Sequence, residues 1–293
     1  MTQFRPFYKQ VQAHYDLSND FFALFLDSSM TYSCAYFARD NMSLHEAQLA
    51  KIDLSLGKCD LPRKAESINA ATRIKLLDIG CGWGATARRA VENFNVDVIG
   101  LTLSKEQHAL ITQSVANTAN RIDFRLQGWE EFTEPVDRII SIGAFEHFRA
   151  ERYEAFFTRA FSLLPRGGRM MLHTIVQPDI NELRQRGIVV DHEAVMFGKF
   201  ICKNIFPGGQ LCSPQVITRH ATNAGFTLAH SESLRLHYAR TLDMWADNLR
   251  ARREQAITIT NKDTYDMYMH YLTGCAHYFR TGHNDVMQFT LLK

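Results

Sequence analysis

The 293-residue chain lacks most of the signals that place a protein in a special class. Its six cysteines, at 34, 59, 81, 202, 212 and 275, form no C-x-x-C pair. That argues against a disulfide framework or a thiolate zinc site and fits a reducing compartment. The twelve histidines show no H-x-x-x-H or comparable ligand spacing, so no metal is expected. No run approaches the roughly 18 to 20 apolar residues of a membrane span. Residues 1–12 lack the apolar stretch of a secretory leader. The expectation is a cytoplasmic protein that meets lipid only peripherally or through a pocket. Charge of neither sign dominates: the net value of +2 gives no strong long-range field, and no nucleic-acid partner is expected. Internal repeats and low-complexity segments are absent.

What remains is ordinary in bulk. Hydrophobic content of 46% and charged content of 22% suit a globular enzyme built as one large domain with embellishments. The informative stretch is Leu76-Leu77-Asp78-Ile79-Gly80-Cys81-Gly82-Trp83-Gly84. An apolar run over 74–79 predicts a buried parallel strand. Three alternate glycines then lead into a helix near Ala85. Such a turn brings backbone N–H groups and a positive helix end toward a ligand, and glycines leave no Cβ in the way. G-x-G-x-G with an acid two residues earlier is not the G-x-G-x-x-G of dinucleotide folds.

Around this turn the chain divides into four expected parts. Residues 1–73 form an N-terminal helical cap and linker. Within them, Ser18 caps a helix over 19–26, and Ser43-Leu44-His45-Glu46 is a capping box opening a second. Leu44, Ala47, Ala50 and Leu54 mark that second helix's apolar stripe, and Gly57 its stop. Residues 74–177 alternate strand and helix: strands over 74–79, 96–101, 122–127, 136–142 and 169–175, with helices over 85–94, 104–119 and 152–164. That alternation predicts a parallel sheet with helices on both faces. Residues 178–212 interrupt it with a helix over 193–205 that is apolar around much of its circumference, a helix either buried or covering a greasy ligand. Residues 213–293 return to the core with a Ser213-Pro214 helix start. A strand over 227–234, helices over 241–257 and 263–280, and a last strand over 286–292 beside the sixth complete it.

Ligands of such sheets lie beyond the carboxyl ends of the strands. That places a site at 80–84, 102–107, 128–130, 143–147 and 173–176. The second strand ends Gly100-Leu101-Thr102-Leu103-Ser104, without the ribose-binding acid of dehydrogenases; Gln107 or the backbone of Thr102 and Leu103 stands in. Trp129 and Glu130 offer a flat ring and an acceptor suited to adenine, or an ordinary loop. Glu146, His147 and His173 stand at neighbouring strand ends among apolar residues. They are candidates for proton handling in a dry pocket, or a satisfied core histidine and a helix-capping glutamate.

Taken together, the motifs resemble those of mycolic-acid cyclopropane synthases, within the wider cyclopropane-fatty-acid synthase family. They run in family order: Ala13-His14-Tyr15-Asp16-Leu17-Ser18, Tyr32-Ser33-Cys34-Ala35-Tyr36-Phe37, the glycine turn and Gly100 to Ser104. Gln127-Gly128-Trp129-Glu130, Ile142-Gly143-Ala144-Phe145-Glu146-His147-Phe148, Ile205-Phe206-Pro207-Gly208-Gly209 and Tyr271-Leu272-Thr273-Gly274-Cys275 follow. The polar stretch 63–73 departs from the family as an insertion. The resemblance implies a Rossmann-like class I methyltransferase fold, with a seven-stranded, mostly parallel sheet under a helical cap and an insert that form a lipid tunnel. It implies that Tyr32, Ser33, Leu76, Asp78, Gly80, Cys81, Gly82, Trp83, Gly84, Thr102, Leu103, Ser104, Gln107, Trp129 and Glu130 hold S-adenosyl-L-methionine. Cys34, Glu146, His173 and Tyr238 would surround a bound bicarbonate, and Cys275 matches a cysteine assigned as catalytic in the family. Mid-helix among Tyr271, Leu272 and Phe279, Cys275 also fits a buried structural thiol. The implied reaction is methyl transfer to a cis double bond of a long-chain acyl substrate carried on an acyl carrier protein. The intermediate is a carbocation faced by Tyr32, Phe145 and Tyr238, and the product is a cyclopropane, or a hydroxylated or methyl-branched chain. Lys199, Lys203, Arg250, Arg252 and Arg253 are candidates to meet the acidic carrier, or solvated helix faces. A small-molecule methyltransferase and a non-catalytic lipid-binding protein are the alternatives from other classes.

Overall fold

The computed structural model describes residues 4–7, 18–63, 73–114 and 121–293. The early motif at 13–17, the end of the helix expected to reach residue 119 and most of the polar stretch 63–73 lie outside them.

Ser18 accepts from Phe21 N and starts α1 (Asn19–Ala23). The reciprocal Ser43–Glu46 capping box starts α2 (Leu44–Lys58), a device worth about 1 kcal/mol. Two sequence expectations fail on α2. Gly57 lies inside the helix, which ends at the Cys59 cap. The buried face is also rotated from the expected apolar stripe: Gln48, Lys51 and Ser55 are buried, whereas Ala50 and Leu54 are only partly so.

The sheet is made of β1 (Ile74–Ile79), β2 (Val96–Thr102), β3 (Ile122–Leu126), β4 (Arg138–Ile142), β5 (Arg169–Val176), β6 (Thr227–Ser233) and β7 (Asp285–Leu292), in the order β3-β2-β1-β4-β5-β7-β6. The first five are parallel, and β7 is antiparallel to both β5 and β6. The last strand therefore inserts between β5 and β6 and does not pair with the sixth alone. Alternate residues serve opposite faces. Leu77, Ile139 and Met170 join one apolar layer, while Leu76, Ile140 and Met171 join the other. Burial on both faces is what the continuous apolar runs require.

The parallel strands are linked by α3 (Ala85–Asn93), α4 (Lys105–Ser114) and α5 (Tyr153–Leu163). The insert holds α6 (Ile180–Gln185) and α7 (His192–Phe200), and α7 runs into a π turn (Ile201–Ile205). After α8 (Pro214–Asn223) come α9 (Arg235–Ala251), α10 (Arg253–Ile259) and α11 (Lys262–Thr281). A third apolar cluster joins α1, α9 and α11. Within it Phe21, Phe22, Phe25, Trp245 and Tyr268 stack edge to face or tilted over the sheet's carboxyl ends.

Candidate functional site

Two cavities open at those carboxyl ends. The first is a cleft over the glycine turn. Tyr32 and Ser33 reach it from the loop after α1, and Asp78, Gly80, Cys81, Gly82 and Trp83 from the turn. Thr102, Leu103, Gln107, Trp129 and Glu130 close its far side. Three expected cofactor residues do not line it. Leu76 faces the opposite layer of the sheet. Gly84 caps α3, with its Cα toward Phe124. Ser104 caps α4, its Oγ accepting from Gln107 N at 3.2 Å.

Two of the turn's N–H groups are spent within the protein and not on a ligand. Gly80 N and Cys81 N both donate to Leu101 O, at 3.0 and 2.9 Å. The glycines instead provide closeness and room. A Cβ on Gly80 would sit 2.4 Å from Ala144 Cβ, whereas one on Gly82 would meet nothing within 4 Å. Asp78 supplies the charge. Its carboxyl is buried, one oxygen has no partner, and burial raises it to about 7 against the pull of Lys51. Lys51, which the sequence did not flag, is buried beside it. Its Nζ donates to Ser33 Oγ at 2.7 Å, and burial lowers it to about 8. No carboxylate among the described residues lies within ion-pair distance of Lys51. Glu130 is partly committed: it pairs with Arg152 at 2.7 Å, and burial still raises its carboxyl. Arg152 in turn donates to Arg5 O and lies over the Phe7 ring, so residues 4–7 cover this edge.

The second cavity, of about 690 Å³, is walled by the insert, α9 and α11 and is largely apolar. All five residues expected to be catalytic line it: Cys34, Glu146, His173, Tyr238 and Cys275. Glu146 lies in the helical turn Phe145–His147, after β4. β5 outruns β4, whose last paired residue is Ile142 opposite His173. The freed Ile175 N therefore donates to Glu146 Oε1 at 2.7 Å, while Oε2 is buried without a partner. Burial raises this carboxyl despite that bond. His173 Nε2 is likewise buried and unpartnered, and burial lowers the ring's affinity for a proton. An unmatched buried polar atom costs about 1 to 3 kcal/mol. Both residues line the second cavity, where a carboxyl and an imidazole with unused hydrogen-bonding capacity would suit a small polar ligand. The donor and acceptor set fits bicarbonate.

Cys34 Sγ donates to Ala35 O at 3.1 Å, and burial pushes this thiol and that of Cys275 well up. Neither is poised as a thiolate. Phe145, expected beside the reacting centre, is instead buried in a stack with Tyr153, Phe148, Phe156 and Phe157. The aromatic wall comes from Tyr32, Tyr271, Phe206 and Tyr238. The Tyr32 and Tyr271 hydroxyls bond at 3.1 Å, and Phe206 packs edge-on to Tyr271. Ala194, Phe197 and Gly198 of α7 and Ile201 of the π turn face the cavity, whereas Val195 and Met196 are 42% and 47% exposed. Of the arginines expected to meet a carrier, Arg250 and Arg253 are ion-paired with Asp247 and Glu254, while exposed Arg252 donates to Leu24 O at 3.0 Å.

Tyr32, Ser33, Gly143 and His147 belong to the walls of both cavities. The two spaces therefore meet at one point, between a charged cleft and a greasy chamber. No group of three or more His, Cys, Asp or Glu among the described residues is arranged to hold a metal.

The chain matches the family described as mycolic acid cyclopropane synthetase over residues 2–289. It is 54% identical over 294 residues to cyclopropane mycolic acid synthase 3 of Mycobacterium tuberculosis, covering 100% of this chain and 99% of that protein. The solved structure of the cyclopropane synthase MmaA2 from Mycobacterium tuberculosis superposes with a TM-score of 0.94 at 49% identity, over 98% of this chain and 99% of the other. That of the mycolic acid cyclopropane synthase CmaA1 complexed with SAH and CTAB gives 0.93 at 52%, over 99% of each. Coclaurine N-methyltransferase, at 20% identity and a TM-score of 0.76, shares the fold alone, over 97% of this chain and 83% of that one.

Proposed function

The chain belongs to the mycolic acid cyclopropane synthetase family, and from that premise we propose that it methylates a cis double bond of a long, mycolic-type acyl chain and closes a cyclopropane ring. It is an S-adenosylmethionine-dependent methyltransferase with the class I fold. The observation that carries the proposal is the meeting of the two cavities at Tyr32, Ser33, Gly143 and His147, with the unmatched atoms of Glu146 and His173 just beyond.

S-adenosylmethionine supplies an electrophilic methyl group when bound. Asp78 meets its cationic end, Lys51 with Ser33 meets its carboxylate, and Trp129 with Glu130 meets its adenine. The chamber takes the acyl chain, which agrees with CTAB, a long-chain amphiphile, in the CmaA1 complex. When an alkene carbon takes the methyl and the carbon–sulfur bond breaks, positive charge appears on the other alkene carbon. The faces of Tyr32 and Tyr238 stabilise it, by about 0.5 to 2 kcal/mol each. Apolar walls keep out the water that would trap it as an alcohol. Removal of a proton from the new methyl then closes the ring. Glu146 and His173 would hold a bicarbonate, which would supply a proton acceptor. Cys275 is wall and not nucleophile, because the alkene attacks the methyl directly. The chain arrives on an acyl carrier protein that meets exposed Lys199 and Lys203 on the insert.

The test is incubation with S-adenosylmethionine and an unsaturated long-chain acyl substrate, with the product read by mass spectrometry and NMR. A gain of one CH2 with cyclopropyl signals is expected. A gain of CH2 plus water would overturn ring closure while leaving methyl transfer standing. Acyl binding without release of S-adenosylhomocysteine would make the protein a lipid carrier.

A further inference from the structure

Behind His173 runs a buried polar chain that the chemistry above does not use. Gln288 of β7 stands opposite His173 in the β5–β7 register and is fully buried. Its Nε2 lies 3.1 Å from His173 Nδ1 and 3.0 Å from Ser55 Oγ, and Lys58 Nζ donates to its Oε1. Lys58 is anchored in turn by Glu232 on β6.

Two independent constraints fix which end of this amide is which. An ammonium has only hydrogens to offer, so the end facing Lys58 is the carbonyl oxygen. Ser55 spends its own hydrogen on Lys51 O at 2.8 Å, so toward Gln288 it accepts, and the end facing it is the NH2. An amide NH2 can only donate, so His173 Nδ1 accepts. A neutral imidazole with an accepting Nδ1 carries its hydrogen on Nε2. That is the nitrogen left without a protein partner beside the acyl cavity.

Resting on the methyl-transfer reading above, we infer that Gln288, clamped between Lys58 and Ser55, is a positioning residue that fixes His173 as its Nε2–H tautomer. The ring then enters the cavity as a neutral hydrogen-bond donor and not as the proton acceptor. With bicarbonate as the proton acceptor, a donating imidazole is the form that suits the site. A histidine offering a lone pair would compete for the proton and would repel the anion that Glu146 faces. The cations behind it, Lys51 and Lys58, oppose protonation of the ring as well. Lys58, Ser55 and Gln288 thus set the tautomer from outside the cavity, without touching substrate.

The full-length protein labelled with 15N-histidine tests this at pH 7, through long-range proton–nitrogen correlation spectra. Loss of one spin system in His173→Gln assigns the ring. A hydrogen-bearing Nε2 with an unprotonated Nδ1 is expected in the wild type. A hydrogen on Nδ1, or an imidazolium, overturns the inference without any further variant. Gln288→Glu replaces the donor with a carboxylate, and Gln288→Met removes it without charge. The first should move the hydrogen to Nδ1 or charge the ring, and the second should give a tautomer mixture. Both should lower kcat at least about tenfold, as expected when a histidine is held in the wrong tautomer, with cofactor affinity within about threefold. An unchanged Nε2–H signature in either folded variant contradicts the role of Gln288. Release of S-adenosylhomocysteine by the wild type is scored separately. Its absence beside an Nε2–H spectrum would count against the proposed reaction and not against the tautomer assignment.

Discussion

At the scale of single residues, the site is a set of buried groups held away from their ordinary ionisation. Glu146 keeps one oxygen on Ile175 N and leaves the other buried without a partner, in a residue that lines the cavity. Glu146→Gln should therefore lower kcat by about 10²-fold or more while leaving the dissociation constant for S-adenosylmethionine within a few fold, measured by single-turnover kinetics and calorimetry. The Cys275 thiol is pushed up by burial, so Cys275→Ala should retain activity within a few fold. Loss of turnover with cofactor binding intact would restore it as a catalytic residue. Asp78 gives a pH signature. Its carboxyl, raised to about 7, contributes stability at acid pH that is lost as pH rises through about 7. A cation bound beside it lowers that value again and releases a proton. Cofactor affinity should thus rise with pH between 5 and 7, and Asp78→Asn should flatten the slope. The same slope in both proteins, read by calorimetry, would remove Asp78 from the charge-bearing role.

At the scale of elements, the strands were legible because parallel strands buried on both faces must be continuously apolar. The glycine turn was legible because close approach to Ala144 admits no Cβ. What the sequence hid was polar burial. Lys51 and Ser55 lie on α2 at the spacing of a solvated face, and only their partners, Ser33 and Gln288, reveal them as interior. Gln288 reads as the polar half of an alternating strand until β7 is seen inserted between β5 and β6. Phe145 lines neither cavity because a helical turn after β4 points it into the stack with Tyr153, Phe148, Phe156 and Phe157. Helix packing supplies its own test. A Cβ on Gly274 of α11 would lie 2.2 Å from the Phe197 ring of α7, which is boxed in by His270 and Tyr278. Gly274→Ala should cost about 1 to 3 kcal/mol by overpacking and push α7 toward the cavity. KM for long acyl chains should rise with cofactor affinity unchanged. Wild-type KM in the folded variant would show that α7 does not shape the chamber.

At the scale of the whole molecule, a polar cleft over β1 and β2 and an apolar chamber under the insert, α9 and α11 share one short wall, made by the loop after α1 and the end of β4. In the proposed reaction the same sheet aims a methyl group from one space into the other, and the residues proposed to decide the product lie on the chamber side. Composition and charge reveal none of this, since it depends on which strand ends become neighbours. The most direct test is turnover with S-adenosylmethionine carrying a fully deuterated methyl and an unsaturated acyl chain, followed by mass spectrometry of the lipid. The account predicts a product heavier by CD2, because one deuteron leaves when the ring closes. A product that keeps CD3 together with a hydroxyl would contradict ring closure by proton removal.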